Sequence, residues 1–141
     1  MKKILVVEDH ADMRELLAWQ IELMGFVPIT AKLAKEGVEK AIAEQPNLIL
    51  MDVMMPGMDG REAVRQLRAH PETKDIPILA ATALFRTTDL KSCLDAGCNG
   101  YIIKPFTFQE LQVKLRVVAD NDRILEHRLK LVGDFVKERR G

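Results

Sequence analysis

The sequence predicts an α/β fold: one five-stranded parallel sheet, doubly wound, with helices on both faces. Three observations carry this expectation. Short apolar runs alternate with segments of helical period five times along the chain, the pattern of repeated strand–helix crossovers. The central run, Asn47-Leu48-Ile49-Leu50-Met51-Asp52, is apolar until its last residue, as in a strand buried on both faces. The second run contains Pro28, which has no N–H to give to a ladder and so belongs at a sheet edge.

In chain order, Lys3 to Val7 is a short apolar strand that ends at the adjacent acids Glu8 and Asp9. A helix follows from Asp12, with Met13, Leu16, Leu17, Ile21 and Met24 expected on its inward stripe and Gly25 as its stop. Phe26 to Thr30 is the edge strand. Val38, Ile42 and nearby alanines mark a second helix, closed near Pro46. After the central strand, Gly60 leads into a helix from about Arg61 that buries Ala63, Val64 and Leu67 and ends before His70-Pro71. Pro77 to Thr82 is the fourth strand and Thr88 to Ala96 a short helix stopped by Gly97. Gly100 to Lys104 is the fifth strand, and the last helix runs from Thr107 through Leu111, Leu115 and Val118. With the proline strand outermost, the expected order is 2-1-3-4-5, the flavodoxin-like winding.

A length of 141 residues suits one domain with a substantial core. Lys+Arg 21 against Asp+Glu 21 leaves no overall field to favour nucleic acid or an anionic membrane. No apolar stretch is long enough to cross a bilayer, and Met1 to Asp9 turns acidic too early for a signal peptide. Cys93 and Cys98 are too few and too close for a disulfide framework; reduced thiols in a small-residue core imply a cytoplasmic protein.

Four of the five strands end in polar chemistry. The first presents Glu8 and Asp9, the third Asp52, the fourth Thr82 and the fifth Lys104. In the order 2-1-3-4-5 these strands are neighbours, so the groups are expected to converge outside the carboxyl edge, where open α/β sheets bind ligands. Singly, each has a plain structural reading: a solvated turn, a satisfied hydroxyl, a surface charge. Three carboxylates brought together repel and call for a cation, and all-oxygen ligation suits Mg²⁺. A carboxylate is also a competent nucleophile towards phosphorus. Phosphoryl transfer needs positioning and charge neutralisation, which a metal, the Lys104 ammonium and the Thr82 hydroxyl would supply.

These residues resemble the response-regulator receiver domain of bacterial two-component signalling. The likeness rests on Glu8-Asp9, on Asp52 followed by Met55-Pro56-Gly57-Met58-Asp59-Gly60, on Thr82-Ala83, and on Tyr101 with Lys104-Pro105-Phe106. It covers residues 2 to about 118, and the combination is highly specific. The resemblance implies that Asp52 is the phosphoacceptor and that Glu8, Asp9, Asp52 and the Met54 backbone carbonyl hold Mg²⁺, with Mn²⁺ as a substitute. It implies that Thr82 and Tyr101 form a switch pair, that Lys104 contacts the phosphoryl group, and that the Lys104-Pro105 bond is cis. The implied donor is a sensor histidine kinase or phosphotransfer protein. The implied output is an altered surface on the fourth helix, fifth strand and fifth helix that controls a partner or effector domain. Such a chain is not a turnover enzyme; it catalyses only its own phosphoryl acceptance and slow dephosphorylation.

Finer expectations follow at the edges of the pattern. Met54 and Leu84 lie two residues after Asp52 and Thr82, and neither apolar side chain can orient an attacking water, so self-dephosphorylation is expected to be slow. His10 is read as rim decoration rather than a ligand, since Mg²⁺ prefers oxygen. Cys98-Asn99-Gly100-Tyr101 lacks the Asp found before this aromatic in the winged-helix regulators, which weakens the case for their salt-bridged dimer. Residues 1–118 form the receiver and 119–141 a helical extension. That extension either continues the last helix or starts anew at Ala119-Asp120-Asn121-Asp122. Leu111, Leu115, Val118, Asp122, Leu125, Leu129, Val132 and Val136 keep a 4-3-4-3 spacing. Two readings stand level: a seam that pairs two chains, or an amphipathic helix folded back on the domain. Lys137-Glu138-Arg139-Arg140 is too short a basic patch to argue for DNA binding.

Three other classes are weaker. A flavodoxin needs a phosphate loop where Glu8-Asp9 would repel phosphate. A haloacid-dehalogenase-type phosphatase needs an acid at position 54, which is Met. A receiver that works without phosphorylation would normally have lost Asp52 or Lys104.

Overall fold

The computed structural model describes residues 2–55, 57–83 and 86–120. Ten elements alternate: β1 (Lys3–Val7), α1 (Ala11–Leu23), β2 (Val27–Ala31), α2 (Ala34–Glu44), β3 (Leu48–Asp52), α3 (Gly60–Ala69), β4 (Ile78–Thr82), α4 (Thr87–Ala96), β5 (Gly100–Ile103) and α5 (Phe108–Asp120). The strands pair in parallel in the order β2-β1-β3-β4-β5, with Pro28 on an edge strand opposite Ile4. Fold class, winding and all ten elements agree with the sequence reading, with boundaries shifted by a few residues. Lys104 falls just beyond β5 rather than within it.

The period of two along each strand divides the core into two layers. Leu5, Val7, Ile49, Met51, Ile78 and Ala80 face one side, under α2, α3 and α4. Ile4, Val6, Leu48, Leu50, Leu79 and Ala81 face the other, against Leu17 and Ile21 of α1 and Leu111, Leu115 and Val118 of α5. Each large side chain buried here contributes roughly 1.5–3 kcal/mol relative to exposure. On α2 the inward residues are small, Ala34, Gly37 and Ala41, with Val38 and Ile42 only partly covered. A Cβ on Gly37 would stand 2.6 Å from a Val7 methyl, so the helix packs closely on β1 only without one.

Two expectations about apolar stripes need correction. Leu16 is 43% exposed rather than inward, because Leu17 and Ile21 already fill the contact with the sheet. Leu111, Leu115 and Val118 are buried in the domain's own core, so these three positions are not open to pair a second helix. The rest of that seam, residues 121–141, lies outside the described residues, as do Leu84 and Pro56.

One fastening escaped the sequence reading. The Arg68 guanidinium on α3 donates to the carbonyls of Gly97, Lys74 and Ile76 and to Asn99 Oδ1 at 2.7–2.9 Å. Asn99 Oδ1 also accepts from the Ile78 N–H at 2.8 Å. Arg68 and Asn99 thus lock the entries to β4 and β5 together. No periodic or motif signal marks an arginine whose partners are mostly carbonyls.

Candidate functional site

β1 and β3 are paired in register, so Glu8, Asp9 and Asp52 emerge side by side at the carboxyl edge. One carboxylate oxygen from each of the three lies within 4.8 Å of the others. Glu8 and Asp52 are buried, while Asp9 is half-buried. The loop after β1 is held by Arg14, whose guanidinium donates to the Glu8 carbonyl at 3.0 Å. His10 caps α1 with backbone geometry only and stands exposed at the rim.

The loop after β3 is shaped by two local features. The Met54 N–H donates to Asp52 Oδ1 at 3.0 Å, which fixes one oxygen and leaves the other turned to Lys104. Gly60 is the second: a Cβ there would lie 2.5 Å from Val53 Cα and 2.6 Å from the Asp52 carbonyl, so only glycine lets α3 start this close to the strand. Asp59 caps α3 through the Arg61 N–H at 2.8 Å and also holds the Arg61 guanidinium, which keeps its carboxyl below the usual range. Arg61 continues to Ser92 on α4 at 3.1 Å, a tie between the loop and α4 that the sequence reading missed.

Lys104 closes the cluster from the far side. Its ammonium lies 3.0 Å from Glu8 Oε2 and 3.3 Å from Asp52 Oδ2. The Lys104 N–H donates to the Thr82 carbonyl at 2.8 Å, tying the ends of β4 and β5, and the Lys104-Pro105 bond is cis, as expected. One ammonium cannot neutralise three carboxylates. Burial, reinforced by a hydrogen bond with Asp52 and opposed by Lys104, holds the Glu8 carboxyl above its ordinary range. Clustered hard oxygen donors with an uncompensated negative charge fit a small divalent cation such as Mg²⁺.

Thr82 is fully buried at the end of β4. Tyr101 is half-buried on β5, with the Lys114 ammonium 5.4 Å from its ring centre. Burial lowers the Lys114 pKa from its ordinary value. Tyr101 lines an open groove of about 650 Å³ with Ile103, Val113 and Lys114. Met54, by contrast, points its side chain outward and is 55% exposed beside the cluster. The structure therefore brings Glu8, Asp9, Asp52 and Lys104 together, with Thr82 at the adjoining strand end and Tyr101 on the neighbouring strand. Its Met54 contribution is an amide on Asp52.

Known proteins share this arrangement. The response regulator receiver domain family matches residues 4–116. The probable transcriptional regulator ycf27 of Cyanophora paradoxa is 37% identical over 115 residues, 82% of this chain and 47% of its own length. The phosphate regulon transcriptional regulatory protein PhoB of Escherichia coli is 36% identical over 117 residues, 83% of this chain and 51% of its own. The chain thus spans about half the length of these curated relatives. Among solved structures, the chemotaxis protein CheY4 of Vibrio cholerae superposes with a TM-score of 0.80 at 30% identity, covering 84% of this chain and 98% of that one. The receiver domain of sensor histidine kinase PA1611 from Pseudomonas aeruginosa, solved with a magnesium ion in its active site cleft, gives 0.79 at 32% identity, covering 85% and 98%. Fold, strand order and sequence agree: this chain belongs to the response regulator receiver domain family, whose general role is phosphorylation-dependent signalling.

Proposed function

We propose that this chain is a signalling switch that accepts a phosphoryl group on Asp52 from a phosphohistidine of a sensor kinase or phosphotransfer protein. The observation that carries the reading is the Asp52 carboxylate: buried at a strand end, pinned by the Met54 amide and met by Lys104 at 3.3 Å. Asp52 Oδ attacks phosphorus, the P–N bond breaks and the imidazole departs, leaving an acyl phosphate. Lys104 neutralises one of the phosphoryl oxygens and the Thr82 hydroxyl donates to another. Glu8, Asp9, Asp52 and the Met54 carbonyl would hold Mg²⁺, and a bound Mg²⁺ supplies charge neutralisation between the acids and the incoming phosphoryl group. A magnesium ion in the cleft of the PA1611 receiver domain supports that assignment.

Signal output follows from the same positions. When Thr82 moves towards the phosphoryl group, space opens beneath the end of β4 and Tyr101 turns inward to fill it, which reshapes the α4-β5-α5 face. That face would control a partner or an output domain; the curated relatives are named as transcriptional regulators. The chain would not turn over substrate, since its own side chain retains the group.

The test is acetyl phosphate with Mg²⁺, followed by intact mass. The wild-type chain should gain one alkali-labile phosphoryl group, and Asp52→Asn should lose labelling by roughly a hundred-fold or more. Equal labelling of both chains would overturn the assignment of Asp52, and rapid repeated phosphate release would favour a phosphatase instead.

A further inference from the structure

Lys114 on α5 is a half-buried cation with no anion beside it. Lysines that leave water usually do so next to a carboxylate. Among the described residues Lys114 is in no ion pair, and Glu110, one turn earlier on the helix, supplies only a longer-range attraction. Its ammonium meets the Tyr101 ring instead. The distance of 5.4 Å to the ring centre lies inside the range of about 6 Å over which a cation is held by an aromatic face.

The contact is made around the free edge of the sheet. β5 is an outermost strand, Tyr101 packs with the core layer under α3 and α4, and the buried side of α5 belongs to the other layer. Lys114 therefore reaches round β5 to the ring from outside. Thr82, on β4, lies on the inner side of the same strand. The ring thus stands between a cation at the open edge and the hydroxyl that moves when Asp52 is phosphorylated.

We propose that Lys114 is a positioning residue for the switch: its ammonium holds the Tyr101 ring outward and opposes the inward turn until Asp52 carries a phosphoryl group. The inference rests on the Tyr101 switch proposed above. A ring that turns inward gives up the contact, so the loss falls on the inward state alone. The groove formed with Ile103 and Val113 is open to solvent, which keeps the contact in the range of a partly exposed pair. That range corresponds to about two- to five-fold in the balance between the two ring positions. An apolar side chain at position 114 would still pack on the ring but would lack the charge that attracts its face.

Tyr101 is the chain's single tyrosine, so labelling with ring-¹³C tyrosine gives the NMR signal of this residue alone. Beryllofluoride is titrated at fixed Mg²⁺ into wild type, Lys114→Met and Lys114→Arg. K114M should reach its midpoint at about two- to five-fold lower beryllofluoride, because its inward state no longer forfeits the contact. K114R keeps a cation that stacks on aromatic faces and should titrate at or above the wild-type midpoint, which a role in packing alone would not require. Should K114M fail to fold by circular dichroism, K114Q serves the same comparison. A neutral variant with a midpoint at or above that of wild type overturns the proposal, as does a K114R midpoint as low as that of K114M. A wild-type ring signal that stays fixed while the amides around Asp52 respond removes the Tyr101 switch itself, and the inference with it.

Discussion

Lys104 Nζ and Glu8 Oε2 meet at 3.0 Å although 96 residues separate them in the chain. Neither belongs to a regular strand: each follows the end of one, and parallel pairing through β3 and β4 brings the two ends together. Lys104 is the single cation touching the two buried acids among the described residues. Lys104→Met should therefore lower unfolding stability by about 2–3 kcal/mol, less than the 3–5 kcal/mol of a fully buried pair because Lys104 keeps some solvent contact. Added Mg²⁺ should recover part of that loss by binding the folded state alone. Urea melts with and without the ion read both effects; an unchanged midpoint for the variant in metal-free buffer counts against the electrostatic account.

Thr82 and Tyr101 occupy neighbouring strands, with Ala80 rather than Thr82 directly across from Tyr101. The two are diagonal neighbours on one face of the sheet, a separation that an aromatic side chain can span. Thr82→Ala should still accept phosphate on Asp52, within about five-fold of wild type, since a neutral hydroxyl bond is worth only about 1 kcal/mol. Its α4-β5-α5 amides should nevertheless fail to shift on phosphorylation. NMR spectra of the two chains with beryllofluoride make the comparison, and a wild-type pattern in the variant would refute the coupling.

The exposed Met54 side chain stands at the site mouth with no group that can hold a water. Replacing it with Asn supplies an amide, and replacing Leu84 with Glu supplies a carboxylate. Either change should speed acyl-phosphate decay by roughly ten-fold, short of the roughly hundred-fold or more that a fully positioned general base gives. Decay of the phosphorylated mass with time is the measurement. No acceleration in either variant means that water access is controlled elsewhere.

Cys93 and Cys98 are buried free thiols, and burial pushes Cys98 up to about 12 and Cys93 upward as well. A thiol reagent at pH 8 should label neither in the folded chain and both in urea. The pH dependence has a definite sign. Unfolded thiols release protons from about pH 9, while folded Cys98 holds its proton until about pH 12, so its contribution to stability is present below pH 9 and drains away between those limits. Labelling of native chain as fast as of unfolded chain would show that the thiols are accessible.

Much of this protein is legible along the chain. Period two and period 3.6 are properties of neighbouring residues, so strands, helices, the edge position of Pro28 and the polar strand ends at Asp52 and Thr82 could be read without coordinates. Local pattern is weaker at the margins of a stripe. Leu16 sits beside Leu17 in the apolar arc of α1, and only packing against the sheet decides that Leu17 is buried and Leu16 is not. The same limit hid the exposure of Trp19 and Leu23.

What the amino-acid order alone determined was the alternation of elements and which residue types close each strand, because backbone geometry imposes those periods on nearest neighbours. Tertiary structure decided the rest: that Lys104 lands on Glu8 and Asp52, that Arg61 reaches Ser92, and that Arg68 gathers three carbonyls and Asn99. Those contacts join residues far apart in the chain. Their existence depends on where the strand and helix ends are held in space, which no single stretch of sequence encodes.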